Sequence, residues 1–225
     1  MSEPEILACV EAGPRGEARG SVVWLHGLGA SGHDFEDVVP MLEQPEVRFV
    51  FPHAPPRPVS VNMGLIMPAW YDIRALGGVR AEEDERGIRE SAQLVENLLA
   101  REKRRGVPAG RIVLAGFSQG GALALFTGMR HGEALAGVMV LSAYELLPAT
   151  REAEASLANR STPLLVCHGS DDPMVPVEAG RQAFATWNHS ERPAELHEFP
   201  MAHALCIEEI AVIRRWLGER FAEQD

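Results

Sequence analysis

One junction limits the folds open to this 225-residue chain more than anything else in it. Arg111-Ile112-Val113-Leu114-Ala115 runs directly into Gly116-Phe117-Ser118-Gln119-Gly120-Gly121, and the residues from there to Met129 are apolar almost all round. A short β-branched run reads as a buried strand, and a helix without a polar face must be covered on every side. A buried strand passing through a glycine turn into a buried helix belongs inside a parallel sheet flanked by helices.

The rest of the chain repeats the theme. Val22-Val23-Trp24-Leu25 reads as a strand running into the loop His26-Gly27-Leu28-Gly29. Val47 to Phe51 reads as another, stopped by Pro52; Ala136 to Leu141 and Leu164 to Cys167 follow, and Leu196 to Phe199 is the last. Ile6 to Val10 reads as an edge strand. Between them, Ile88, Ala92, Val95 and Leu99 share one helical face, ended by Gly106 and Pro108. Pro176 suits the first turn of a helix reaching about Trp187, and Ile207, Ile210, Ile213 and Leu217 mark a C-terminal amphipathic helix. The fold class is α/β, a mostly parallel central sheet with helices on both faces. No repeat or linker interrupts it, so residues 1–225 are expected to form a single domain. The stretch from Pro52 to Asp72, with five prolines, reads as one long irregular segment. Long loops in compact domains often carry function.

A formal net charge of −11 argues against nucleic-acid binding and against unaided docking on anionic lipid. No apolar run is long enough to span a bilayer, and Met1-Ser2-Glu3-Pro4-Glu5 has neither a basic n-region nor an apolar core, so stable membrane insertion and secretion are not expected. Cys9, Cys167 and Cys206 are odd in number and widely spaced, which fits reduced thiols and a cytoplasmic location.

Gly116-Phe117-Ser118-Gln119-Gly120 matches G-x-S-x-G in the setting a nucleophile elbow requires, after a strand and before a helix. The positions two before and two after the serine must be small because strand and helix backbones approach there. The helix behind Ser118 aims N–H groups and a positive dipole end at a reacting oxygen. A serine hydroxyl needs a base. In this chain order the acid follows the serine and the histidine comes last. Of eight histidines, only His189, His197 and His203 follow the candidate acids. His189 lies in a polar turn and His197 inside a strand. His203 lies in the loop leaving the C-terminal edge of the sheet, on the side of the elbow, and is the expected base. The acid belongs in Gly169-Ser170-Asp171-Asp172-Pro173, the loop after the 164–167 strand, where spacing leaves Asp171 and Asp172 both open. His26 and His53 read as hydrogen bonders that fix loops, and His33-Asp34 as the start of a helix.

These residues resemble the acyl-protein thioesterase/carboxylesterase (phospholipase/carboxylesterase) family of α/β hydrolases, and among them bacterial carboxylesterases. The likeness runs from about Ser21 to Leu217. It is carried by His26-Gly27-Leu28-Gly29, by Arg57 to Asn62 with Met67 to Asp72, by Gly116 to Gly121, by His168 to Pro176, and by His203 before Glu208-Glu209-Ile210. The resemblance implies an α/β-hydrolase fold without a large cap domain. It implies Asp172 as the acid and the backbone N–H groups of Leu28 and Gln119 as an oxyanion hole. Gln119 also follows from the elbow itself. It implies an acyl-enzyme on Ser118, with no metal and no organic cofactor. One departure stands out: the family has glycine before the histidine, where this chain has Ala202. A need for positive φ would strain Ala202; otherwise its methyl should only narrow the space beside the imidazole, which is the expectation.

Leu65, Met67, Trp70, Tyr71, Met174, Val175 and Leu205 are candidate walls of an acyl groove. The chain between Ser118 and Asp172 is too short for a large cap, so a shallow, open site suited to short or medium acyl chains is expected. The expected partner is a small-molecule or acyl-chain ester. An acyl-protein thioesterase or lysophospholipase, and a non-catalytic binding protein of this fold, are the rival readings. Apolar side chains from the proline-rich loop could also pair two copies as a homodimer.

Overall fold

The computed structural model describes residues 6–74, 83–189 and 191–222. These residues form nine strands and six α-helices, which alternate from Glu85 onward except for short 3-10 turns. Strands β1 (Cys9–Ala12) and β2 (Gly20–Leu25) follow one another, and a short helix α1 (Val39–Leu42) leads from β2 to β3 (Val47–Pro52). Then come β4 (Pro56–Val59), β5 (Leu65–Pro68), α2 (Glu85–Arg104), β6 (Ile112–Phe117), α3 (Gln119–Gly128) and β7 (Gly137–Leu141). The chain continues through α4 (Arg151–Glu154), β8 (Leu164–Gly169), α5 (Val177–Trp187), β9 (Ala194–Phe199) and α6 (Ile207–Phe221).

Seven strands form one sheet in the order β1-β3-β2-β6-β7-β8-β9. All neighbours pair in parallel except β1, which runs antiparallel to β3 at one edge. The edge strand lies slightly later than the expected Ile6–Val10, because its register pairs Cys9 with Pro52 and Ala12 with Phe49. Strands β2, β3, β7 and β8 are buried at every residue, which is why they read as unbroken apolar runs. Alternate side chains feed two cores. Val23 and Leu25 join the core beneath α2, α3 and α5; Val22 and Trp24 join the other, with Ile213, Trp216 and Leu217 of α6. All ten residues of α3 are buried, as its lack of a polar face requires.

The 52–72 stretch is less irregular than its prolines suggest. β4 and β5 pair as a small antiparallel hairpin, with Pro56 opposite Pro68 and Val59 opposite Leu65. A two-stranded ribbon has only edges, so prolines cost it little. Met63 and Gly64 turn it with positive φ of 57° and 76°. Asp72 ties it down by accepting from the Ser60 N–H and the Ser60 hydroxyl, both at 2.6 Å. Among the described residues no helix is long and apolar enough to cross a membrane, and the three cysteines are free.

Candidate active site

The parallel strands end along one rim, and three of the functional candidates meet there. β6 delivers Ser118. Its φ of 54° and ψ of −122° form a strained conformation for a residue that is not glycine. Main chain packs closely on either side of this turn. A Cβ on Gly116 would lie 2.3 Å from the Gly120 carbonyl carbon, and one on Gly120 would lie 2.4 Å from the Leu25 oxygen. That is the reason for small residues two before and two after the serine. Across the rim, the Ser118 N–H bonds the Leu141 oxygen at 2.8 Å, so the end of β7 holds the turn.

β8 delivers Asp172. Its side chain is buried, and Oδ1 accepts from the N–H groups of Met174 at 2.8 Å and Val175 at 2.9 Å. Those donors turn the carboxylate so that Oδ2 sits 2.6 Å from His203 Nδ1. Asp171 points outward and serves the turn, its N–H donating to the Met201 oxygen at 3.1 Å. His203 lies in the loop between β9 and α6, with its ring against Phe117 (centroids 4.7 Å apart) and its Nε2 2.9 Å from Ser118 Oγ. A carboxylate on Nδ1 favours the tautomer that leaves Nε2 free to accept the serine proton. Ala202 is not among the residues with positive φ and its side chain is exposed. It is therefore unstrained, and its methyl does not line the cavity.

The loop 26–29 runs beside Ser118, since a Cβ on Gly27 would lie 3.4 Å from the serine Cβ. Several bonds fix it. The Ala54 N–H donates to His26 Nε2 at 3.0 Å, so Nδ1 carries the proton and donates to the Gly27 oxygen at 2.7 Å. Burial lowers the pKa of this imidazole, which suits a neutral tie rather than a base. Trp70 Nε1 donates to the His26 oxygen at 2.8 Å, and Gly29 N–H to the Pro68 oxygen at 2.8 Å. His53 Nδ1 accepts from the Gly32 N–H at 3.2 Å. The side chain of Gln119 accepts from Trp70 N–H at 2.9 Å and donates to the Tyr71 oxygen at 2.7 Å. Gln119 is also the first residue of α3, where an N–H has no partner within the helix.

A cavity of about 1070 Å³ opens over Ser118 and His203. It is larger than the shallow site expected of a chain without a cap, because loops supply its walls. Leu28, Met67, Tyr71, Met174, Val175 and Leu205 line it. Leu65 and Trp70 do not. Leu65 lies on the outer hairpin, largely exposed, and Trp70 is fully buried, its indole N–H spent on His26. Phe35, Val38 and Leu146 line it unforeseen, and so does Tyr144. Val38 ends a 3-10 turn and the others lie in loops, none with a motif or period that would mark a cavity wall. Tyr144 bonds the Tyr71 hydroxyl at 2.9 Å, and burial pushes both phenols above their usual range, so they stay neutral. Asp34 also lines the cavity. It organises its own loop by accepting from the Ser31 N–H at 2.9 Å, rather than starting a helix. Among the described residues no three His, Cys, Asp or Glu side chains cluster as metal ligands would.

A mostly parallel sheet covered on both faces, with a serine at a strained strand-to-helix turn on its rim, defines an α/β hydrolase. Residues 8–219 match the phospholipase/carboxylesterase family, and the chain belongs to it and is a hydrolase. It is 38% identical over 212 residues to acyl-protein thioesterase 1 of Neurospora crassa, covering 89% of this chain and 86% of that one. Among solved structures it is similar to Arabidopsis thaliana SOBER1 (30% identity, TM-score 0.85, 90% of this chain and 99% of that one). It is also similar to Zea mays acyl-protein thioesterase 2 (28% identity, TM-score 0.84, 96% and 99%).

Proposed function

We propose that the protein cleaves carboxylic esters of short to medium acyl chains through an acyl-enzyme on Ser118, with His203 as base and Asp172 as its partner. The observation that carries this reading is the imidazole of His203, which bridges Ser118 Oγ at 2.9 Å and Asp172 Oδ2 at 2.6 Å. His203 Nε2 takes the hydroxyl proton as Oγ bonds to the carbonyl carbon. The oxyanion that forms is met by the N–H groups of Leu28 and Gln119. As the tetrahedral centre collapses, the bond to the leaving oxygen breaks and His203 returns the proton to it. Water then adds to the acyl carbon and gives a proton to His203. The bond to Oγ breaks, Ser118 recovers its proton, and the acid leaves. Every proton has a place in this cycle without a metal or a cofactor.

Thioesters are the second reading, favoured by relatives named acyl-protein thioesterases. The same cycle accommodates them with a thiol leaving. Phe35, Val38, Met67, Met174 and Leu205 give the cavity an apolar wall for the acyl chain. Matched ester and thioester series from acetyl to lauroyl, assayed on wild type beside Ser118→Ala, test the proposal. Wild type should turn over one series or both, and the variant should lose at least several orders of magnitude. Ordinary turnover by Ser118→Ala would falsify the assignment. Failure of a fluorophosphonate probe to label wild type would favour a binding protein instead.

A further inference from the structure

His168 lies near the end of β8, four residues before Asp172, and is fully buried. Its Nε2 is 2.9 Å from the Val175 oxygen and 3.6 Å from Asp172 Oδ2. A carbonyl only accepts, so the Nε2–H tautomer is the one that fits. Nδ1 has no partner. It abuts Gly180 of α5, where a Cβ would lie 2.3 Å from it. The ring is therefore wedged between a helix backbone and the turn that carries the acid. Glu198, the register neighbour of His168 on β9, is engaged by Arg181 at 2.7 and 2.6 Å.

The bonds form a chain. His168 holds the Val175 carbonyl, the Val175 N–H holds Asp172 Oδ1 at 2.9 Å, and Asp172 Oδ2 holds His203. Val175 is thus fixed at both backbone groups, and a buried carboxylate keeps its orientation only while its donors are fixed. The Nε2–H edge is too far from Oδ2 for a hydrogen bond, but it turns a positive edge toward that oxygen.

We propose that His168 is a positioning residue: through the Val175 carbonyl it sets the angle at which Asp172 meets His203. This inference rests on the Ser118–His203–Asp172 reading above. Glutamine at 168 can place an N–H near the position of Nε2, whereas asparagine stops short of it. His168→Asn should lower kcat on the best ester about 10- to 100-fold, with KM changed less than about threefold, by misalignment of the acid. His168→Gln should stay within about threefold of wild type. A folded His168→Asn with wild-type kcat overturns the proposal, and so does a His168→Gln as impaired as the asparagine variant. Should His168→Asn not fold, Gly180→Ala replaces it, since its methyl presses on the ring without removing the donor. It should lower kcat at constant KM, and the double variant Gly180→Ala/His168→Gln should recover. Wild-type kcat in Gly180→Ala sinks the proposal. Absence of ester and thioester turnover by the wild type sinks the esterase reading together with this one, whereas active wild type with unaltered variants sinks this one alone.

Discussion

Ser118 and Asp172 leave the ends of buried parallel strands, and His203 follows the neighbouring strand β9, whereas another wall of the same cavity is the β4–β5 hairpin, most of whose surface faces water. The strand-end groups are held by main-chain bonds: Ser118 by Leu141, and Asp172 by Met174 and Val175. The hairpin is held at Ser60 by the side chain of Asp72, at Val61 by the Ile73 oxygen and at Pro68 by the Gly29 N–H, yet it exposes Met63 (99%), Leu65 (64%) and Ile66 (69%) beside its cavity-lining residues Val61, Asn62 and Met67. In the proposed mechanism the groups that must align to a fraction of an ångström sit on elements fixed within the sheet, while the surface that would meet variable parts of a substrate sits on an outlying ribbon.

The largest expected effect follows from breaking the strand-end side. Asp172→Asn keeps the shape and the two backbone bonds to Oδ1 but removes the charge beside His203. It also invites the wrong imidazole tautomer. We expect kcat to fall about 10³- to 10⁴-fold with little change in KM, by steady-state assay. A loss below tenfold would mean that the carboxylate does not orient His203.

The second test concerns the joint between the His203 loop and α6. Glu209, in the first turn of that helix, is fully buried, and only the Cys206 backbone N–H offsets the burial of its carboxylate. Burial pushes its pKa up to about 8. In the unfolded chain the group titrates in the ordinary glutamate range. Between that range and about 8 the unfolded state has lost a proton that the folded state keeps, so stability falls as pH rises through this window and levels off above it. The size is of the order of a few kcal/mol. Glu209→Gln removes the titration. Thermal unfolding at pH 5, 6.5 and 8 should show the variant gaining over wild type as pH rises, and parallel curves would refute it.

Trp70 joins the two regions: its ring follows the hairpin and its N–H holds the His26 carbonyl beside Ser118. Trp70→Phe leaves that carbonyl buried without its donor, at a cost of about 1–2 kcal/mol in stability. The loop carrying Leu28 should loosen, lowering kcat about tenfold while the KM for short esters stays near wild type, since the ring is not in the cavity. A change in KM alone would mean that it acts as a wall after all.

What was legible in the sequence divides along the same line. Buried parallel strands are written as unbroken apolar runs, and the elbow needs small residues at 116 and 120, so the parallel core strands and the candidate serine can be read directly, whereas the order of strands across the sheet cannot. His203 followed from chain order and from the rim on which loops emerge. Asp172 did not follow from spacing; what separates it from Asp171 is the turn that aims its Oδ1 at two backbone N–H groups. The hairpin was hidden by prolines that argue against strands in wide sheets but not in a ribbon. Trp70 is expected in the cavity wall but is not there, because in a sequence an aromatic in a loop looks the same whether its ring lines a cavity or its N–H fixes a neighbour. Tyr144 and Phe35 left no trace, since their loops have no period for a pattern to reveal.

The smallest expected effect separates the regions most cleanly. Leu65→Ser/Ile66→Ser changes side chains that lie outside the cavity and pack on little, so stability should move by no more than about 0.5 kcal/mol. Nothing on the strand ends depends on them, and kcat on an acetyl ester should remain within about twofold of wild type, because the reacting groups are aligned from the other side. A long acyl chain that runs past Met67 would meet this outer surface, and each methylene it buries there contributes less than about 0.8 kcal/mol, the value for full burial. KM for lauroyl esters should therefore rise several-fold while that for acetyl esters stays put. A uniform rise across the series, or a drop in kcat on acetyl esters, would show that the hairpin is coupled to the strand ends and that the two regions do not divide alignment from selection.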